Sequence, residues 1–118
     1  MTATSPQRGE VWDVSFDPSV GSETQKTRPA VVVNDNAIGR LPLRIVVPIT
    51  EWDAKYSQYP WFVHLKPTVA NGFTKESGAD AFQVKSVSLK RFVRRRGSLL
   101  DAEMDEIASA VALCVDAL

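Results

Sequence analysis

The chain has 118 residues, and its 14 basic and 14 acidic residues cancel to a formal charge of zero. That length supports one hydrophobic core, with roughly two-thirds of the unfolded chain's surface buried on folding. Charge balance argues against a chromatin-like protein that binds nucleic acid through bulk charge, and a single cysteine, Cys114, permits neither an internal disulfide nor a thiolate metal site.

The opening MTATSPQRGE has neither the basic cluster nor the apolar run of a secretory signal. No stretch is long enough to span a bilayer, so the sequence reads as soluble and cytoplasmic, with residues 1–7 disordered ahead of one domain over 8–118. Glu10 to Phe16 alternates in the period of a strand, with Trp12, Val14 and Phe16 directed to the core. Asp17 and Pro18 close it, and the polar, glycine-bearing run to Arg28 reads as a sizeable loop. Pro29 then opens Ala30-Val31-Val32-Val33, a continuous β-branched run of the kind found in buried strands.

Arg44 to Thr50 is a further β-branched run whose Pro48 suits a strand end or an edge. Glu51 to Pro60 is polar and reads as mobile, while Trp61 to Leu65 and Ala81 to Ser88 read as short strands. The run LKRFVRRRG concentrates Lys90, Arg91, Arg94, Arg95 and Arg96, so a neutral chain still owns a basic face. Such a run binds phosphate or, more commonly, guards a solvated strand edge with charge. The last element changes period: Met104, Ile107, Ala108, Val111, Val115 and Leu118 share one helical face, and Ser98 with Asp101 matches a capping-box pattern. The pattern predicts a compact, mainly β barrel of short strands with a C-terminal helix packed on it.

Three segments carry a resemblance when taken in order: RGEVWDVSFDP (Arg8 to Pro18), GSETQKTRPAVVV (Gly21 to Val33) and VVPIT (Val46 to Thr50). With QVKSVS (Gln83 to Ser88) and the final helix, they resemble the MazF/PemK toxins over nearly the whole chain after Gln7, least in Glu51 to Gly72. The resemblance implies an SH3-like barrel of the CcdB/MazF type that forms a homodimer. It implies a cytoplasmic, metal-independent endoribonuclease without cofactor, acting on single-stranded RNA (mRNA, tRNA or rRNA) and leaving a 2′,3′-cyclic phosphate and a 5′-hydroxyl. It also implies a MazE-like antitoxin, whose acidic segment would block a basic groove by imitating phosphate.

Attack by an RNA 2′-hydroxyl builds negative charge on the phosphorus oxygens, so fixed donors there lower the barrier. From spacing alone Arg28 reads as a surface arginine paired with Glu23 or Asp17; the resemblance makes it a catalytic residue, its guanidinium a planar fork for a phosphate. The resemblance likewise turns Thr50 from an ordinary strand-end threonine into a second catalytic residue. Glu23 either orients Arg28, contacts RNA or is a solvated loop carboxylate, and the amide of Gln83 either reads a base edge or caps a sheet edge. Lys85 is a phosphate-binding candidate. Many relatives place an aspartate directly before that glutamine, whereas this chain has Phe82, with Asp80 two residues earlier, so no general base is assigned.

His64 reads as a solvent-facing strand histidine and Cys114 as a small core residue; one His and one Cys suggest no metal site. Trp52, Tyr56 and Tyr59 could stack on bases or cover the groove of a dimer, and Trp61 reads as core. Two other functions are compatible with such a barrel. A CcdB-like topoisomerase poison is typified by a Trp-Gly-Ile end, where this chain has VDAL, and a noncatalytic SH3-like interaction module leaves Arg28 and Thr50 without a purpose.

Overall fold

The computed structural model describes residues 5–38 and 41–117. Seven strands, β1 (Glu10–Ser15), β2 (Thr27–Val32), β3 (Leu43–Glu51), β4 (Phe62–Leu65), β5 (Ser77–Asp80), β6 (Lys85–Ser88) and β7 (Phe92–Ser98), are followed by one helix, α1 (Asp101–Cys114). The strands form an antiparallel, barrel-like sheet that does not close, ordered β4-β5-β3-β2-β1-β7, with β6 added to β3. Among the described residues no helix is long and apolar enough to cross a membrane.

The period of the strands divides the core in two. Val11, Val31 and Val47 enter a cluster closed by Met104, Ile107 and Ala110 of α1. Their neighbours Trp12, Val14, Ala30, Val32 and Val46 enter a second cluster with Phe16 and Val87. The valine run of β2 is therefore continuous because each of its faces meets a core. Trp12, Val14 and Phe16 are buried as their alternation predicts.

Pro48 departs from expectation, because it lies well inside the central strand and is paired with Ala30 of β2. The reason is the divided partnership of β3. Its first half pairs with β6 as far as Val46, and its second half pairs with β5 from Ile49 onward. Pro48 falls in the gap between the two ladders, where its missing N–H costs no hydrogen bond.

The C-terminal helix also differs in detail. Ser98 ends β7 instead of capping α1; Leu100 holds the N-cap, and its N–H donates to Glu103 Oε1 at 2.9 Å. The buried face runs through Met104, Ile107 and Ala110, while Ala108 is exposed, Val115 lies past the helix end and Leu118 is outside the described residues. Of the segment 1–7, expected to be disordered, residues 1–4 are likewise outside; Pro6 is buried, and its carbonyl accepts from Arg44 Nε at 2.8 Å.

Glu51 to Pro60, expected to be mobile, contains a 3-10 turn (Ala54–Gln58) capped by the Asp53 carboxylate. Trp52 stacks on His64 at 3.9 Å and Tyr56 on Phe62 at 4.0 Å, so rings hold the start and the middle of the segment against β4. Strand β5, sequence SGAD, has no β-branched residue to announce it. It needs small residues: a Cβ on Gly78 would stand 3.0 Å from the Trp52 ring and 3.1 Å from that of Phe62.

Candidate active site

Arg28 and Thr50 come together just beyond a strand pairing. Ala30 pairs with Pro48 where the β2–β3 ladder ends, and Arg28 and Thr50, each two residues beyond that pair, line the same clefts. Both side chains are exposed and both line two adjoining clefts. The first, about 220 Å³, also contains Glu23, Thr24, Tyr56, Asp80 and Gln83. The second, about 130 Å³, is walled by Phe73, Lys75, Ser77 and Arg96.

The structural alternative for Arg28 was an ion pair with Glu23 or Asp17. Neither forms. Glu23 Oε1 accepts from the Val20 N–H at 2.8 Å, and Asp17 Oδ1 from the Ser19 hydroxyl at 3.2 Å. Among the described residues the Arg28 guanidinium has no salt-bridge partner. A cation left unneutralised at the junction of two clefts is available to an anion.

Gln83 holds the loop that leads to Arg28. Its Oε1 accepts from the Thr24 N–H at 2.5 Å and from the Thr24 hydroxyl at 2.8 Å. Its Nε2 donates to the Ser22 carbonyl at 3.2 Å and to Asp80 Oδ2 at 3.3 Å. An amide has two acceptor and two donor positions, and all four are used, which leaves none to read a base edge. Arg91 fastens the other end of the loop by donating to the Ser15 and Asp17 carbonyls at 3.1 and 2.7 Å.

Asp80 enters the cleft even though Phe82 occupies the position next to Gln83. It caps the 3-10 turn Ala81–Gln83, accepting from the Phe82 N–H at 3.2 Å. Burial pushes its carboxyl above the ordinary 3.8, against the lowering effect of its hydrogen bonds from Phe82 and Gln83. Sequence alone could not place it, since a two-residue offset brings a side chain into the cleft only through this turn. Burial, with a smaller contribution from the Asp80 charge, also raises the Cys114 thiol, which packs against the core beneath α1.

Of the basic run, Lys90 and Arg91 fall in the 3-10 turn Leu89–Arg91, while Arg94, Arg95 and Arg96 lie on β7, at the edge of the sheet, and are spent on β1. Arg94 and Arg96 meet Asp13 at 2.9 and 3.3 Å, and Arg95 meets Glu10 at 3.3 Å. Lys85 instead is exposed, forms no salt bridge among the described residues and lines a third cleft that shares Glu23, Thr24 and Gln83 with the first. His64 is exposed on β4, paired with Glu76 at 2.6 Å, outside the three clefts. Trp61 packs against the core cluster. Among the described residues no group of three His, Cys, Asp or Glu side chains converges as metal ligands would.

Comparison with known proteins adds independent information. Residues 7–115 match the family model of the PemK-like, MazF-like toxins of type II toxin-antitoxin systems. The chain is 35% identical over 116 residues to the endoribonuclease MazF9 of Mycobacterium tuberculosis, covering 93% of this chain and 96% of that protein. It is 30% identical over 104 residues to the endoribonuclease toxin ChpB of Escherichia coli, covering 85% of each. In fold it is similar to MazF from Deinococcus radiodurans, with a TM-score of 0.79 at 22% identity over 94% of this chain and 96% of that one. A mycobacterial endoribonuclease in complex with its cognate antitoxin superposes with a TM-score of 0.73 at 19% identity, over 94% and 95% of the two chains.

Proposed function

This chain belongs to the PemK-like, MazF-like toxins of type II toxin-antitoxin systems, and from that premise we propose a specific catalytic site for it. It is a toxin endoribonuclease that cleaves RNA, and an antitoxin is its partner. The toxin domain spans residues 8–118, works in the cytoplasm as a homodimer, and cleaves single-stranded RNA without a metal ion. The antitoxin segment that neutralises it is acidic.

The observation that carries the site is the unneutralised guanidinium of Arg28 beside Thr50 at the junction of two clefts. The RNA 2′-oxygen bonds to the adjacent phosphorus while the bond from phosphorus to the 5′-oxygen breaks. Charge gathers on the non-bridging oxygens, where Arg28 offers a planar pair of donors and Thr50 a hydroxyl. Asp80 takes the 2′-proton. Burial holds its carboxyl above 3.8, and it lines the same cleft as Arg28 and Thr50. The departing 5′-oxygen takes its proton from solvent. Gln83 and Glu23 hold the loop and so orient Arg28.

The test is cleavage of a mixed-sequence transcript with and without EDTA, followed by end-group analysis. Metal-free cutting that leaves 2′,3′-cyclic phosphate and 5′-hydroxyl ends is the expected result. Activity lost to EDTA and restored by magnesium overturns the proposal. An uncut transcript, together with inhibition of a topoisomerase or with no activity at all, points to the CcdB-like poison or the interaction module.

A further inference from the structure

Phe82 is an aromatic side chain that the fold declines to bury. It is 66% exposed, yet it does not stand alone. The 3-10 turn Ala81–Gln83 fixes its backbone, with Ala81 fully buried and Asp80 capping the turn. Behind it the ring meets Trp61 edge-on at 5.7 Å, and Trp61 is in turn stacked on Tyr59 at 4.9 Å. The ring is thus held in place with much of its surface offered to solvent.

What it borders is the third cleft, about 400 Å³, within the range of roughly 300–1,000 Å³ typical of small-molecule sites. Lys85 and the polar side chains of Ser22, Glu23 and Thr24 complete the walls. Lys85 has no salt-bridge partner among the described residues. Glu23 uses Oε1 on the Val20 N–H, which leaves Oε2 to accept. A flat apolar platform, an unneutralised cation and a carboxylate acceptor around one cavity match the three parts of a nucleotide: base face, phosphate and exocyclic amine.

Resting on the endoribonuclease reading, we propose that this cleft is a nucleobase subsite in which Phe82 stacks on a base bearing an exocyclic amine. Glu23 accepts from that amine and Lys85 contacts the neighbouring phosphate. The cleft shares Glu23, Thr24 and Gln83 with the one that holds Arg28, so the base it takes lies close to the cut along the strand. Phe82 is then a residue that sets affinity and sequence preference, separate from the groups that move charge and protons.

The experiment uses full-length wild type with Phe82→Ala, Phe82→Leu, Phe82→Trp and Lys85→Ala. Each is measured for affinity toward labelled single-stranded RNA made uncleavable by 2′-O-methylation, and for the cut-site profile on a mixed-sequence transcript. Phe82→Ala should weaken binding about tenfold, within the loss that follows removal of one base-stacking ring. It should also flatten the preference at a single position near the cut. Phe82→Trp should keep both properties. Phe82→Leu, apolar but without a π face, should behave like the alanine variant, and Lys85→Ala should weaken all sequences alike and reduce the salt slope by about one.

If Phe82→Leu binds as tightly as wild type, stacking is wrong. An unaltered profile in both Phe82→Ala and Phe82→Leu, with the wild type cutting RNA normally, overturns this subsite and leaves the nuclease reading intact. RNA binding unchanged in these variants while binding of the antitoxin segment is lost assigns the cleft to a protein partner and overturns it equally. A wild type that neither binds nor cuts RNA sinks both readings together.

Discussion

Thr24 donates twice to one oxygen of Gln83, from its N–H and its hydroxyl, across 59 residues of chain. The two bonds tie the loop after β1 to the turn that carries Asp80 and Phe82, and so set where Arg28 enters β2. Gln83→Ala removes them together with the donation to Ser22. At about 0.5–1.5 kcal/mol per hydrogen bond, the folded state should lose roughly 1–3 kcal/mol, since water replaces part of what is removed at this half-exposed site. The loop should open first: trypsin should cut after Lys26 faster than in wild type before any change in global unfolding, and cleavage of RNA should slow. Equal trypsin rates in the two proteins would show that Gln83 does not hold the loop.

Arg28→Ala separates chemistry from structure. Loss of one preorganised donor to a developing oxyanion costs about a hundredfold or more in rate. The residue is exposed and without an ion pair among the described residues, so the melting temperature should hardly move. Arg28→Lys should recover little, because a point charge on a flexible stem does not reproduce a planar fork. Thr50→Ala should show the same pattern at smaller cost, with Thr50→Ser retaining part of the rate. Single-turnover cleavage at saturating enzyme, alongside RNA affinity, distinguishes this from a binding defect. An Arg28→Ala variant that cuts like wild type rules out the assignment.

Asp80 predicts two pH dependences of stated sign. Its folded-state value lies above 3.8, so the folded chain binds this proton more tightly than the unfolded chain. The penalty for its buried charge is fully present above the folded value, shrinks as pH falls through that value and is gone below 3.8. Wild type should therefore gain in melting temperature relative to Asp80→Ala between pH 7 and pH 4. Cys114, the thiol beside it, is raised from 9.0 and stays protonated throughout that range. The single-turnover rate should fall on acidification with a midpoint above 3.8, and Asp80→Asn should lower it by roughly 10²–10⁴-fold. A rate profile shared by wild type and Asp80→Asn would remove Asp80 from the mechanism.

Gly97 tests how the second cleft is built. Loop 66–74 is organised by buried Asn71, whose Oδ1 accepts from the Thr68 and Phe73 N–H groups at 3.0 and 2.9 Å. The loop lies flat on β7, where a Cβ on Gly97 would overlap the Ala70 carbonyl oxygen and crowd the Asn71 backbone. Backbone cannot give way as a flexible side chain can, so Gly97→Ala should destabilise by about 1–3 kcal/mol or more. The same displacement should shift Phe73, which walls the cleft beside Arg28 and Thr50, and slow cleavage. Urea unfolding and the cleavage rate measure the two effects; an unchanged denaturation midpoint would contradict the close approach.

Much of this protein was legible in its sequence because the signals were local. Alternation in Glu10 to Phe16 and the unbroken Ala30 to Val33 run announced buried strands, and a 3.6-residue period announced α1. Family likeness in RGEVWDVSFDP, GSETQKTRPAVVV and VVPIT carried the activity, and it named Arg28 and Thr50 without saying how they meet. Tertiary structure decided what depends on distant neighbours. Pro48 is tolerated in a central strand only because β3 changes partner beside it, and SGAD is a strand because β3 and β4 pair with it on either side, with Gly78 leaving room for two rings. The arginines of β7 are neutral in effect because Asp13 and Glu10 lie across the sheet, which leaves Arg28 and Lys85 as the unneutralised cations of the clefts. Charge and hydrogen-bonding capacity are counted along a sequence, but whether a partner consumes them is settled only when the chain folds.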